Sequence, residues 1–210
     1  MNKEDIDSRI FDGFIICWKT VGDIFEKWKP EDRDEFLVQA RKILRRTTRM
    51  PIGNSVNQQD FEAVALPQMQ KIMGGAYGFC AYVCLHQIKQ YCDSIGYKKP
   101  VDVVFEAGAD GWKQINQLFV YLADHQQLKE FYRLGSITFD TKRIRQFQAA
   151  DFLSYDLGRS ILDANLGRFR FEVSDSLKAL LNGISTDYVK FRQRETLVKH
   201  AEIMRDAGWF

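Results

Sequence analysis

A short apolar segment that ends in an acidic residue constrains the fold of this chain more than any other feature. Residues 101–105 are rich in β-branched and aromatic side chains, Pro100 precedes them, and a glycine-containing turn follows Glu106. This pattern predicts a strand buried on both faces, with Glu106 at its carboxyl end. Ligands of helix-flanked sheets bind beyond the carboxyl ends of strands. Glu106 is therefore a candidate site residue, and a solvated strand end is the alternative interpretation.

A second acidic residue lies on a predicted helix over residues 147–162. On a helical wheel Asp151 falls at the edge of an apolar stripe that includes Ala150 and Leu153. A carboxylate in that position is costly unless a hydrogen bond, a counter-charge or a metal ion compensates it. Glu106 and Asp151 could jointly hold a divalent cation such as Mg²⁺ or Mn²⁺, because hard cations take carboxylate oxygens. An Asp151 bonded to a neighbouring loop is the alternative.

Strand and helix patterns alternate along the chain, which predicts an α/β architecture. In chain order the predicted elements are a helical stretch ending at Trp28, a helix over 30–46, a strand over 52–56, a helix over 76–95, the strand ending at Glu106, a helix over 112–122, a strand over 136–139 and the Asp151 helix. The Glu106 strand is expected to be central in the sheet.

Length and composition predict one domain without a membrane span. The chain has 210 residues, of which 45% are hydrophobic, enough for a sizeable core. Its longest uncharged apolar stretch, residues 76–85, is too short to cross a bilayer. The first residues do not resemble a secretion signal, and the four cysteines are expected to be reduced thiols of a cytoplasmic protein. Residues 168–210 are expected to form a variable, charged helical extension of the single domain 1–210.

Positive charge is concentrated although the net charge is only +2. One predicted helical face over residues 41–49 carries five cations, and Lys142, Arg143 and Arg145 lie between Glu106 and Asp151 in sequence. Arginine-rich faces suit phosphate contacts, because guanidinium groups bond phosphate bidentately. Nucleic acid is therefore an expected partner, and a solvated helix face is the alternative for each run.

Four ordered segments carry a resemblance to a known family. Residues 77–85, 104–108, 139–142 and 147–151 resemble, in order and spacing, the RNase H-like family known as domain of unknown function 3800. The resemblance covers residues 51–161 and implies a mixed sheet flanked by helices, with a nuclease-like carboxylate site. It makes Glu106 the middle-strand acid and Asp151 the late-helix acid, and it places Asp140 and Lys142 in the loop that enters that helix.

The beginning of the chain departs from this family. The family opens with a hydrophobic strand ending in Asp-Glu-Ser-Gly, whereas residues 1–9 are mostly polar, so the opening strands are expected to be missing. An unpaired sheet edge and self-association are then expected.

Two functions follow from these observations. One is a metal-dependent nucleic-acid hydrolase, with Glu106 and Asp151 as Mg²⁺ or Mn²⁺ ligands, Asp140 as an auxiliary acid and Lys142 as a phosphate contact. The other is a catalytically inactive or truncated member that acts as a binding or interaction module.

Overall fold

A computed structural model describes residues 29, 31–32, 35, 38–39, 42, 50, 52–108, 111–140, 150, 189–192, 194–206 and 209, and every structural statement below concerns these residues. In chain order the elements are β1 (Gly53–Val56), α1 (Gln58–Val64), α2 (Pro67–Met73), α3 (Ala76–Ser94), β2 (Val101–Glu106), α4 (Trp112–Asp124), α5 (Gln126–Phe131), β3 (Leu134–Asp140), β4 (Val189–Arg192) and α6 (Arg194–Asp206).

The described strands form two parallel pairs. β2 pairs with β3, and β1 pairs with β4. Parallel neighbours need a crossover connection, which α4 and α5 provide between β2 and β3. The protein is therefore an α/β protein, as predicted. Among the described residues β2 has one strand neighbour, where the sequence predicted a central position.

One face of the β2–β3 pair packs on the core and the other carries polar side chains. Val101, Val103 and Phe105 are buried, whereas Asp102 is exposed and Glu106 is half-buried. Side chains alternate between the two faces of a strand, so the polar residues of β2 share one face. The prediction of a strand buried on both faces is therefore wrong. On the second face Asp102 is exposed, and Val104 and Glu106 are half-buried.

The core lies between α3, α4 and the strands. It holds the largest fully buried side chains of the described residues: Phe61, Met69, Met73, Phe79, Leu85, Phe105, Ile115, Leu118, Phe119, Leu122 and Leu197. Burial of each such side chain contributes roughly 1.5–3 kcal/mol. The apolar positions of α4 recur at the helical spacing of Ile115, Leu118 and Leu122, which explains why this segment is a helix with one buried face.

Local sequence signals set several helix ends. The side chain of Asn57 accepts hydrogen bonds from the backbone of Gln59 and Asp60 and so caps α1. α2 begins at Pro67 and is capped after Met73 by Gly74, whose φ of 67° lies in the left-handed region that glycine adopts without strain. α3 ends within one residue of the predicted boundary at 95.

The amino end of α3 is capped by a residue of another helix. Gln114 of α4 accepts hydrogen bonds through Oε1 from the backbone nitrogens of Tyr77 (3.0 Å) and Gly78 (3.4 Å). Gln117, one turn later, donates to the carbonyl oxygen of Lys71 in α2. These two glutamines therefore satisfy backbone groups at the junction of three helices, where a helix end leaves donors and acceptors without intrahelical partners.

An ion-pair group joins the end of α3 to the start of β3. Asp93 contacts Lys89 and Arg133, each at 2.5 Å, and these two cations hold the pKa of Asp93 at about 2. Lys89 also lies 4.4 Å from the ring centroid of Phe131, a cation–π arrangement.

The chain after residue 188 contributes to the same core. β4 pairs with β1, and Leu197, Ala201 and Met204 of α6 are buried. Trp209 is buried too, and its carbonyl oxygen accepts a hydrogen bond from Tyr121 Oη at 2.9 Å. The segment expected to be a charged extension thus includes residues that complete the core.

The other predicted elements compare as follows. The strands expected over 52–56 and 136–139, and the helices over 76–95 and 112–122, are present with bounds shifted by one to two residues. Residues 31, 32, 35, 38, 39 and 42 are helical and exposed, within the helix predicted over 30–46. The stretch before Trp28 and the cationic face at 41–49, apart from Lys42, lie outside the described residues. No helix in the described part of the chain is long and apolar enough to cross a membrane.

Candidate functional site

Two acidic residues are paired where β2 and β3 end. Glu106 and Asp140 are the last residues of their strands and are directly paired in the parallel register. The backbone nitrogen of Ala107 donates to the carbonyl oxygen of Asp140 at 2.7 Å, which extends the pairing to the strand ends. Paired residues of adjacent parallel strands point to the same face, and such strands lie about 4.8 Å apart. The two carboxylates therefore share one face at the carboxyl edge.

The position of Asp140 differs from the one that the family resemblance implied. Asp140 is the final residue of β3, where a loop position was expected. The reason is the strand register: Val104, Phe105 and Glu106 pair in turn with Thr138, Phe139 and Asp140, so the ladder continues to the acid. This placement makes Asp140 a direct neighbour of Glu106.

The other two predicted site residues, Lys142 and Asp151, lie outside the described residues. Ala150, the residue before Asp151, is helical and only 6% exposed. Its burial agrees with the predicted apolar stripe of the late helix.

The environment of the acidic pair is polar on one side and apolar on the other. Glu106 is half-buried and Asp140 is exposed, and the neighbouring Thr138 is exposed on the same face. Behind them, the rings of Phe105 and Phe139 stack at 5.5 Å on the core face. The paired positions place one carboxylate on the end of each strand, beside this polar face.

A third acid of the same sheet has a structural role. Asp102 Oδ1 accepts hydrogen bonds from the backbone nitrogen and the hydroxyl of Ser136, both at 2.7 Å. These bonds lower the pKa of Asp102. They also connect the two strands beside the register irregularity between Val101 and Val103. Asp102 thus helps to fix the register that brings Glu106 and Asp140 together.

Sequence reasoning missed an aromatic residue at the same edge. Trp112 begins α4 after the left-handed Gly111, and the residue is 40% exposed. Its ring contacts Phe139 edge to face at 6.4 Å. The available signal was a tryptophan placed directly after a strand, a turn and a glycine, which is the position where a helix begins beyond a strand's carboxyl end.

The acidic pair offers carboxylate oxygens from two adjacent strands. Within the described ranges no three histidine, cysteine or acidic side chains are grouped so that they could hold a metal ion. Cys84 lies elsewhere, where the amide of Asn54 donates to its sulfur at 3.3 Å and to Gln87 Oε1 at 2.5 Å. Additional ligands for the acidic pair would have to come from the remaining part of the chain or from water.

Comparisons with protein-family models, with curated proteins and with solved structures returned no match for this chain. The resemblance to the RNase H-like family therefore stays a prediction that rests on the ordered sequence segments.

Proposed function

We propose that this chain is a metal-dependent nucleic-acid hydrolase of RNase H-like type. The observation that supports the proposal best is the direct pairing of Glu106 with Asp140 at the carboxyl ends of two parallel strands. Carboxyl ends of parallel strands are the usual location of ligand sites in helix-flanked sheets. The site is accordingly proposed at that edge.

The residues present fit a hard divalent cation. Glu106 and Asp140 offer carboxylate oxygens from adjacent strands on one face, and Mg²⁺ and Mn²⁺ prefer such oxygens. Mg²⁺ usually keeps several water ligands and is often bound through one or two carboxylates, so a pair of acids is a plausible protein contribution. We propose Asp151 as a further ligand.

The chemistry proposed for this edge is phosphodiester hydrolysis. A divalent ion bound at this position would supply Lewis acidity for the activation of water and would offset phosphate charge. Glu106 and Asp140 would hold and orient the ion through their positions at the ends of β2 and β3. Lys142 follows Asp140 by two residues, and we assign it a contact to a substrate phosphate oxygen.

Substrate class is inferred from charge. Lys142, Arg143 and Arg145 all follow Asp140 within five residues, so cationic groups enter the chain directly after the acidic pair. Acids without such cations would repel a polyanion, whereas cations beside a metal-binding edge favour its approach. Nucleic acid is therefore proposed over an uncharged substrate.

A cleavage assay tests the proposal. The purified chain would be incubated with labelled single-stranded DNA, RNA and a DNA–RNA hybrid in Mn²⁺, in Mg²⁺ and in chelator. We expect metal-dependent cleavage that Glu106→Gln and Asp140→Asn each reduce at least about 100-fold, the scale lost when one group that stabilises transition-state charge is removed. Asp124→Asn is the matched control, because Asp124 ends α4 about 18 Å along that helix from its first residue.

Cleavage that persists in chelator, or that survives both substitutions, would contradict the proposal. Metal-dependent binding of an oligonucleotide without cleavage would favour the second function, a non-catalytic binding module with the same fold.

Asp151 is tested separately by thermal melting. If Asp151 is a metal ligand, Asp151→Asn relieves repulsion with Glu106 and leaves the metal-free protein as stable as the parent, while stabilisation by Mn²⁺ is lost. If Asp151 is a structural acid, the same substitution removes a charge-assisted hydrogen bond and costs about 1.5–3 kcal/mol with or without metal.

A further inference from the structure

We propose that Trp112 is a base-stacking platform that makes the proposed site selective for single-stranded nucleic acid. This inference rests on the proposed function and adds the form of the substrate and the residue that recognises it. Its basis is the place of Trp112 beside the strand end that carries Asp140, together with the exposure of its ring.

An aromatic row runs from the core to the surface and ends at Trp112. Phe119 contacts Phe105 at 4.9 Å, Phe105 stacks on Phe139 at 5.5 Å, and Phe139 meets Trp112 edge to face at 6.4 Å. Phe119 and Phe105 are 1% and 2% exposed, whereas Trp112 is 40% exposed. The outermost ring is thus supported from below by packed rings and leaves part of its surface to solvent.

The row ends at the acidic edge. Phe139 is the residue immediately before Asp140, and the two side chains point to opposite faces of β3. Trp112, which contacts Phe139, therefore lies at the same end of the sheet as the Glu106–Asp140 pair. In this proposal a bound nucleic-acid strand crosses this edge of the sheet, with a phosphate at the acids and a base on the indole.

Stacking on an exposed indole requires an unpaired base. Every base has an aromatic face, so stacking tolerates sequence, and each stacked base contributes enough affinity to be measured. Bases inside a duplex already stack on their neighbours and present only their edges in the grooves. A single exposed indole at this edge of the sheet therefore favours single-stranded nucleic acid over a duplex.

Binding to two oligonucleotides of equal charge tests this inference. Fluorescence anisotropy would report the affinity of the full chain for a labelled 12-nucleotide oligothymidine and for an abasic oligonucleotide of the same length, at low salt in chelator, so that neither is cut. We expect the wild-type chain to bind oligothymidine about tenfold more tightly than the abasic strand, the scale of one stacked base. Trp112→Leu should remove this difference, and Trp112→Phe should keep most of it.

Two further variants keep the test decisive. Trp112→Gln also removes the ring and replaces it with a polar side chain that is common on exposed helix faces. It serves as the second ring-less variant if Trp112→Leu fails to fold. Val120→Thr is the control for an exposed apolar residue on the same helix, because Val120 is 51% exposed two turns further along α4. It should bind both oligonucleotides like the wild type.

The inference is overturned if the wild type binds the two strands equally, if it binds neither, or if the ring-less variants keep its selectivity. Metal-dependent cleavage together with unchanged selectivity in Trp112→Leu would reject the platform alone. Base-dependent binding that Trp112→Leu abolishes, in a chain that cleaves nothing, would reject the proposed hydrolase alone.

Discussion

Replacement of Gln114 by leucine should destabilise the protein through the loss of one hydrogen-bond acceptor. The Oε1 atom of Gln114 accepts from the backbone nitrogens of Tyr77 and Gly78, the first-turn donors of α3. Leucine keeps a side chain of intermediate size beside the adjacent glycines but offers no acceptor. The backbone nitrogen of Tyr77, a half-buried residue, then loses its side-chain partner.

The size of the effect follows from two comparable estimates. Loss of a helix cap costs about 0.5–2 kcal/mol. A partly buried donor left without its partner costs about 1–3 kcal/mol when it is shielded from water and less when water can reach it. These two values describe the same interaction and are not summed, so we expect a decrease of about 1–2 kcal/mol in the free energy of unfolding for Gln114→Leu.

Urea unfolding followed by circular dichroism measures this decrease. Gln114→Glu is the matched variant, because it keeps an acceptor and places negative charge at a helix amino end; its stability should equal or exceed that of the parent. Asn116→Ala, an exposed position on the same helix, should change stability by less than about 0.5 kcal/mol. A Gln114→Leu protein as stable as the parent would refute the assigned capping role.

Three further outcomes are expected. Gly111→Ala should be less stable than Gly108→Ala, and paired urea melts measure the difference. Both glycines have positive φ (85° and 79°). A Cβ at Gly111 would lie 2.4 Å from the ring of Tyr77, whereas a Cβ at Gly108 would have no described atom within 4 Å. Trp209→Ala should cost about 3–5 kcal/mol, because the indole is buried among tyrosines, and a change below about 1 kcal/mol would show that the end of the chain does not belong to the core. The pKa of Asp93 in the folded protein is about 2, below its ordinary value. Its ion pairs therefore contribute fully above about pH 4 and are lost as the pH falls toward 2. Over that interval the melting temperature of Asp93→Asn should fall less steeply than that of the wild type.

Local sequence signals predicted the elements that form the proposed site. β-branched composition identified β2, and the positive φ of Gly96 accompanies the predicted end of α3. The position of Glu106 at the end of β2 was also predictable, because an acid at the end of an apolar strand is a local pattern. These inferences need only neighbouring residues.

Pairings between distant residues could not be predicted from such signals. The register that joins Glu106 to Asp140 depends on tertiary packing and on the bonds from Ser136 to Asp102. The pairing of β4 with β1 connects segments from the two halves of the chain. Charge-rich composition concealed the buried residues of α6 and Trp209, which belong to the core. The cap provided by Gln114 was hidden for the same reason, because a polar residue on an amphipathic helix gives no sign of the backbone it will meet.

Stoichiometric binding of Mn²⁺ tests the central claim, that Glu106 and Asp140 share one cation site, most directly. Electron paramagnetic resonance distinguishes free from bound Mn²⁺ and does not require catalysis or substrate. We expect saturable binding by the wild type and by Asp124→Asn, and binding weakened at least about tenfold in Glu106→Gln and in Asp140→Asn, with little additional loss in the double variant, because the two acids act on the same ion. Equal binding by all four proteins, or independent losses that add in the double variant, would contradict a shared site.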